Sequence, residues 1–179
     1  MNQEKRNDHA KEARPENIHV LTAELAQLRE PKRGEIVDII VSEVFTPSNF
    51  FFQLTRDQSL LERMLNAINR LYAGHELAGS LPALHDQEFK VGSLVATKWA
   101  EDGCWYRAVI TSIVSKNRVQ LQFLEYGTRC QCSRDQLYTL DSVFRDWDYY
   151  MSYQAKLAGI RSFTGRWTKD ASEIGRAHV

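Results

Sequence analysis

"VGSLVATKWAEDGCWYRAVITSIVSKNRVQLQFLEYGTRCQCSRDQLYTL", residues 91–140, decides the fold. Short runs rich in Val, Ile, Thr and aromatic residues alternate in it with turn residues. Strands are predicted over 93–99, 104–114, 118–124, 129–132 and 137–140. Asp102-Gly103 and Ser115-Lys116-Asn117 supply tight hairpin connections. Short strands packed this closely along the chain predict a small, strongly bent five-stranded barrel.

The same stretch is dense in aromatic rings. Trp99 ends one predicted strand and Tyr106 lies just inside the next. The Ala100–Cys104 connection is short, so the two are neighbours across a hairpin. Trp105, beside Tyr106 in the strand, points to the opposite face. Phe123 and Tyr126 would part in a straight strand, but Gly127 permits a turn that brings Tyr126 back. Trp99, Tyr106, Phe123 and Tyr126 can therefore converge at one end of the barrel. On pattern alone they are either its aromatic core or the wall of a pocket. A pocket of ring faces suits a weakly hydrated cation, such as a methylated ammonium or guanidinium group. Each wall would contribute ~0.5–1 kcal/mol when exposed and ~2 kcal/mol when desolvated. Glu101, Asp102 and Glu125 are expected near the rim, where they favour a basic peptide.

Upstream, "EIVDIIVSEVFTPSNFFFQLT", residues 35–55, reads as two strands around a turn at 46–49. The first is expected to run from Ile36 to Phe45 and the second from Phe50 to Leu54. "DQSLLERMLNAINRLYAG", residues 57–74, reads as a helix. Leu61, Met64, Leu65, Ile68 and Leu71 form its apolar stripe, Asp57 or Ser59 caps it, and Gly74 ends it. Residues 75–90 form a polar loop around Pro82. "SVFRDWDYYMSYQAKLAGI", residues 142–160, reads as a helix followed by a strand ending near Ile160. Asp141, Asp146 and Asp148 with Trp147 and Tyr149 make either a solvated face there or an acidic, aromatic contact surface for a peptide.

The ends differ in texture. Residues 1–17 are polar and charged and are expected to be disordered. Ile18, Leu21, Leu25 and Leu28 then fall at helical spacing, as a short docking helix or a marginal helix in a linker. Residues 1–33 are thus a disordered or partly helical tail. At the other end, residues 169–179 read as a tail. Its "EIGRAHV", residues 173–179, can be encoded by a string that resembles the start of a widely used sequencing-library adapter. The natural chain is expected to continue differently after about Ser172.

Composition narrows the function classes. Lys plus Arg equals Asp plus Glu, 23 against 23, so no electrostatic case exists for sequence-independent nucleic-acid binding. No apolar run approaches the ~20 residues of a membrane span, and the N-terminus lacks a signal peptide's apolar core. Cys104, Cys130 and Cys132 cannot all pair within the chain, which is simplest in a reducing, intracellular setting. Cys130-x-Cys132 lacks the further ligands of a zinc site. The histidines are scattered, and neither a nucleophile triad nor a phosphate loop is present. No catalytic residues, metal or cofactor are expected.

Residues 91–140 resemble a Tudor domain. The family's W-Y-R-A motif is matched by Trp105-Tyr106-Arg107-Ala108, and its F-x-D-Y-G-N motif by Phe123-Leu124-Glu125-Tyr126-Gly127-Thr128. "VDIIVSEVFTPSNFFFQLT", residues 37–55, resembles the family's entry segment, and "AKLAGI" with Trp167 its exit. Together, residues 34–168 resemble an extended Tudor domain of mixed α+β class, mostly β. Its barrel, about 91–140, is joined by a helix to an OB-like, staphylococcal-nuclease-like half built from about 34–74 and 141–168.

The resemblance implies a non-enzymatic reader of methylated arginine, often symmetric dimethylarginine in Arg-Gly or Arg-Ala repeats of Piwi-type proteins. It further implies a cytoplasmic place in germline RNA granules of the piRNA pathway. By motif position the cage is Trp99, Tyr106, Phe123 and Tyr126. Thr128 departs from the family's Asn, whose amide can hydrogen-bond the guanidinium; a hydroxyl is shorter and offers one donor. Glu125 replaces the usual Asp and either pairs with Arg107 as a brace or stands at the rim. The alternatives are a scaffold of the same fold that binds an unmethylated partner, and an OB-like RNA-binding module, which the neutral charge disfavours.

Overall fold

Thr46 and Asn49 face each other across a turn at Pro47-Ser48, closing the hairpin of β1 (Ile39–Thr46) and β2 (Asn49–Leu54). The computed structural model that shows this describes residues 23–24, 28–145 and 150–176. Ile18, Leu21 and Leu25 of the N-terminal helical spacing lie outside the described residues, as do Asp146, Trp147, Asp148 and Tyr149.

The hairpin carries a third antiparallel strand, β8 (Tyr153–Ala155), in the order β1-β2-β8. Phe52 of β2 stacks on Tyr153, with ring centroids 5.5 Å apart. Two sequence boundaries move. The first strand begins at Ile39, because Ile36 is 98% exposed and meets no partner strand. The last strand ends at Ala155, and Ile160 lies beyond it, half exposed.

α1 (Gln58–Leu77) follows, with Leu61, Met64, Ile68 and Tyr72 buried. Leu65 and Leu71 are only partly buried at the flank of the stripe. The helix does not stop at Gly74. It runs one turn further and closes at Gly79, whose φ of +64° suits glycine, while Ser80 N–H donates to His75 O at 2.8 Å. Asp57 occupies the N-cap position without a side-chain cap bond.

The barrel strands are β3 (Leu94–Lys98), β4 (Trp105–Ser115), β5 (Arg118–Phe123), β6 (Arg129–Ser133) and β7 (Leu137–Thr139). They pair in the order β6-β5-β4-β3-β7. Strand alternation sends neighbouring residues of β4 to different cores. Ala108 and Ile110 join Val95, Val119, Leu121, Phe123 and Leu137 inside the barrel. Trp105 points the other way into a cluster with Met64, Ile68, Tyr72, Leu140 and Phe144, and stacks on Tyr72 at 5.1 Å. Asn69 of α1 fixes that junction: its side-chain amide donates to Trp105 O, and its Oδ1 accepts from Trp105 N–H at 2.7 Å. Leu28 packs against the same cluster.

A short helix, α2 (Ser142–Arg145), buries Phe144, and α3 (Lys169–Arg176) lies against β1. Residues 169–176, read from sequence as part of a tail, are therefore helical.

Candidate functional site

The β3–β4 connection shapes one wall of the site. Trp99 N–H donates to Cys104 O at 2.8 Å, and Gly103 N–H returns to Trp99 O at 2.9 Å. Gly103 holds φ at +70°, a conformation its lack of a Cβ allows. Thr97 faces Tyr106 across the ladder, and Trp99 lies two residues on, just past the end of β3. The rings of Trp99 and Tyr106 both meet Phe123 edge-on, at 5.0 and 5.6 Å.

The β5–β6 loop supplies the other wall. Gly127 N–H donates to Phe123 O and Phe123 N–H to Thr128 O, each at 2.9 Å. That closure, with Gly127 at φ +79°, returns Tyr126 toward the barrel mouth, 5.8 Å from Tyr106. The result is a cavity of about 350 Å³ lined by Trp99, Glu101, Asp102, Tyr106, Phe123, Tyr126 and Thr128. Phe123 is buried at its base, while Trp99, Tyr106 and Tyr126 are half-buried.

The electrostatics of the cavity are one-sided. Glu101 and Asp102 bring two carboxylates to its lining, and among the described residues no cationic side chain lines it. Burial pushes the Tyr106 phenol up, reinforced by its hydrogen bond to Asp102; burial likewise raises Tyr126. Both rings therefore remain neutral at physiological pH and present their negative faces.

Glu125 is not at the rim. It is fully buried and pairs with Arg107, Nε to Oε1 at 2.7 Å, both side chains inaccessible to solvent. Arg107 also donates to Phe144 O at 3.2 Å. Alternation explains the placement: Arg107 follows Tyr106 on β4 and points out of the barrel toward α2. Burial pushes the Glu125 carboxyl up, against the pull of the adjacent guanidinium.

The three-stranded half grips the cage loop in a way the sequence did not reveal. Ser152 Oγ donates to Leu124 O at 2.8 Å, Gln53 Nε2 to Glu125 O at 2.6 Å, and Ser42 Oγ to Tyr126 O at 2.8 Å. Three successive carbonyls are thus held by side chains from β1, β2 and the segment leading into β8. The available signal was a polar Ser42 and Gln53 set among the apolar residues of β1 and β2. Arg129, after Thr128, lies over the Phe45 ring at 4.7 Å and adds a further tie between the halves. A second concavity of about 650 Å³ opens where Phe51, Phe52, Ser152 and Tyr153 meet Gln122 of the barrel.

Cys130 and Cys132 are half-buried thiols in β6 that pack against the barrel core, and burial raises them to about 11 and about 12. Among the described residues, no group of three or more His, Cys, Asp or Glu could hold a metal ion. No described helix is long and apolar enough to cross a membrane.

Known proteins place this geometry in a family. Human Tudor domain-containing protein 1 is 26% identical over 137 residues, covering 76% of this chain and 11% of the relative, so the chain spans about a tenth of that protein's length. Extended Tudor domain TD3 of mouse TDRD1, solved in complex with a MILI peptide containing dimethylarginine, superposes with a TM-score of 0.70. The identity is 24%, over 84% of this chain and 74% of that one. The Drosophila melanogaster Papi extended Tudor domain, in complex with a symmetrically dimethylated Piwi N-terminal peptide, gives a TM-score of 0.67. It is 24% identical, over 79% of this chain and 68% of that one. At that identity the superpositions establish the fold. The Tudor domain model matches residues 31–159, and on that match the chain belongs to the Tudor domain family, with the fold of its extended form.

Proposed function

We propose that this domain reads methylated arginine in a protein partner, seating the methylguanidinium group against Trp99, Tyr106, Phe123 and Tyr126. The observation that carries the reading is the open cavity walled by those four rings and edged by two carboxylates. Neutral rings with exposed faces attract a diffuse cation, and methylation lowers the cost of taking that cation out of water. The family's structural neighbours from mouse and fly, solved with dimethylarginine peptides, support the same chemistry. The preferred mark is symmetric dimethylarginine in an Arg-Gly or Arg-Ala context. The peptide's flanks run toward the concavity at Phe51 and Phe52. Phe51 bridges the two regions, lining that concavity while it abuts Gly127 beside Tyr126.

The partners are the arginine-rich tails of Piwi-type proteins, and the setting is a cytoplasmic germline ribonucleoprotein granule. Contact with RNA then comes through the partner. Titration of one Arg-Gly peptide in dimethylated and unmodified forms tests the reading. Tighter binding of the dimethylated form, lost on Tyr106→Ala, is expected. Equal affinities for the two forms overturn it.

A further inference from the structure

The inference rests on the cage reading and concerns which group in the cage selects its cation. Asp102 sits in the β3–β4 turn, and its carboxylate is part of the cavity lining. Both oxygens are held by hydrogen bonds. Oδ1 accepts from Cys104 N–H at 2.8 Å, and Oδ2 accepts from the Tyr106 hydroxyl at 2.6 Å. The phenol stays protonated, since burial and the Asp102 bond both raise it, so it acts on Asp102 only as a donor. A carboxylate oxygen has room for a second hydrogen bond, so each retains an acceptor position. Asp102 is therefore a pre-positioned anion on an aromatic wall.

Across the cavity, Thr128 brings a hydroxyl and no amide. Of the two carboxylates that a cation seated on the rings meets, Asp102 is held in place by the Cys104 N–H and the Tyr106 hydroxyl. A guanidinium methylated on both terminal nitrogens still carries N–H donors. A trimethylated ammonium carries none, although the rings attract it equally well.

We propose that Asp102 is the specificity-determining residue of the cage, accepting an N–H from the seated cation and so selecting methylated guanidinium over quaternary ammonium. Rings alone would rank cations by size and hydration. The carboxylate adds a charge-assisted hydrogen bond that only a cation with a remaining N–H can make.

The test uses the intact chain and three versions of one Arg-Gly peptide, carrying symmetric dimethylarginine, unmodified arginine or trimethyllysine at one position. Wild type is expected to bind the dimethylarginine peptide about tenfold more tightly than the trimethyllysine peptide, the size of one hydrogen bond to a charged group. Asp102→Asn, a substitution that an exposed turn accommodates, is expected to narrow the ratio to about threefold or less. Tyr106→Phe keeps the ring but releases the carboxylate, and its ratio falls between the two. A wild-type ratio near one, or an unchanged ratio in Asp102→Asn, overturns the role of Asp102 and leaves the cage reading intact. Equal wild-type affinity for dimethylated and unmodified arginine overturns the cage reading itself.

Discussion

The ring of Phe51 occupies the space that a Cβ on Gly127 would need, its Cγ 2.1 Å from where that atom would stand. One half of the molecule thus touches the other at the residue beside a cage wall. Gly127 also holds φ at +79°. Gly127→Ala meets both obstacles, backbone strain of ~1–3 kcal/mol and overpacking of ~1–3 kcal/mol. The expected loss is about 2–6 kcal/mol in urea denaturation, with peptide affinity falling as Tyr126 is displaced. Adding Phe51→Ala should relieve the steric part and not the backbone part, which a double-mutant cycle reads as favourable coupling.

The carbonyl clamp on residues 124–126 makes a separate prediction. Gln53 and Ser152 are each 4% exposed, so removing either leaves a carbonyl without its donor in a buried place. Gln53→Leu and Ser152→Ala should each cost about 1–3 kcal/mol. Ser42→Ala, at a half-buried site, should cost less, because water reaches the Tyr126 carbonyl more easily. Denaturation midpoints rank the three, and affinity for the dimethylarginine peptide should follow the same order. An affinity loss without a stability loss would contradict a clamp that acts through the fold.

Arg107 and Glu125 form an ion pair with no exposure of either side chain. Arg107→Met leaves the carboxylate buried without its counter-charge, at a cost of about 3–5 kcal/mol near neutral pH. Burial already raises the Glu125 carboxyl above its ordinary 4.5, and loss of the guanidinium removes the main pull downward. The folded variant therefore holds a proton that the unfolded chain releases. Its stability should be greatest below the unfolded carboxyl's ordinary value and decline as pH rises through the folded value. Urea midpoints of the variant measured from pH 5 to pH 8 should fall, relative to wild type, as pH increases. A flat difference would mean Glu125 stays charged without Arg107.

Much of this was legible before the structure, and the reasons are local. Period-2 alternation placed Trp105 and Tyr106 on opposite faces, since a strand leaves no other choice. Helical spacing found the α1 stripe, yet missed Tyr72, whose hydroxyl donates to Thr139 O at 2.8 Å and accepts from Asp141 N–H at 2.9 Å. Those partners lie far along the chain, so no window around Tyr72 contains them. Gly74 looked like a terminator because glycine usually ends helices, but the left-handed residue here is Gly79. Glu125 was placed at the rim as well as in a brace, because composition gives a charge and not its direction. The bond from Ser42 to Tyr126 O was invisible for the same reason as those of Tyr72.

The neighbours Trp105 and Tyr106 offer the sharpest contrast for measurement. Trp105 is 2% exposed, stacked on Tyr72 and edge-on to Tyr138 at 5.3 Å. Trp105→Ala should cost about 3–5 kcal/mol, as large aromatic truncations in cores do. Tyr106 is half-buried at the cavity, and its hydroxyl donates to Asp102 in the exposed turn. Tyr106→Ala should cost about 1–2 kcal/mol of stability, less than a core truncation, while removing a cage wall worth ~0.5–2 kcal/mol toward the cation. Side-by-side denaturation and peptide titration separate the two effects. The first substitution should lower the midpoint most, and the second should weaken binding most among chains that remain folded. A reversed order would place the binding surface on the α1 side of β4, and the cavity at the barrel mouth would then be only the end of a core.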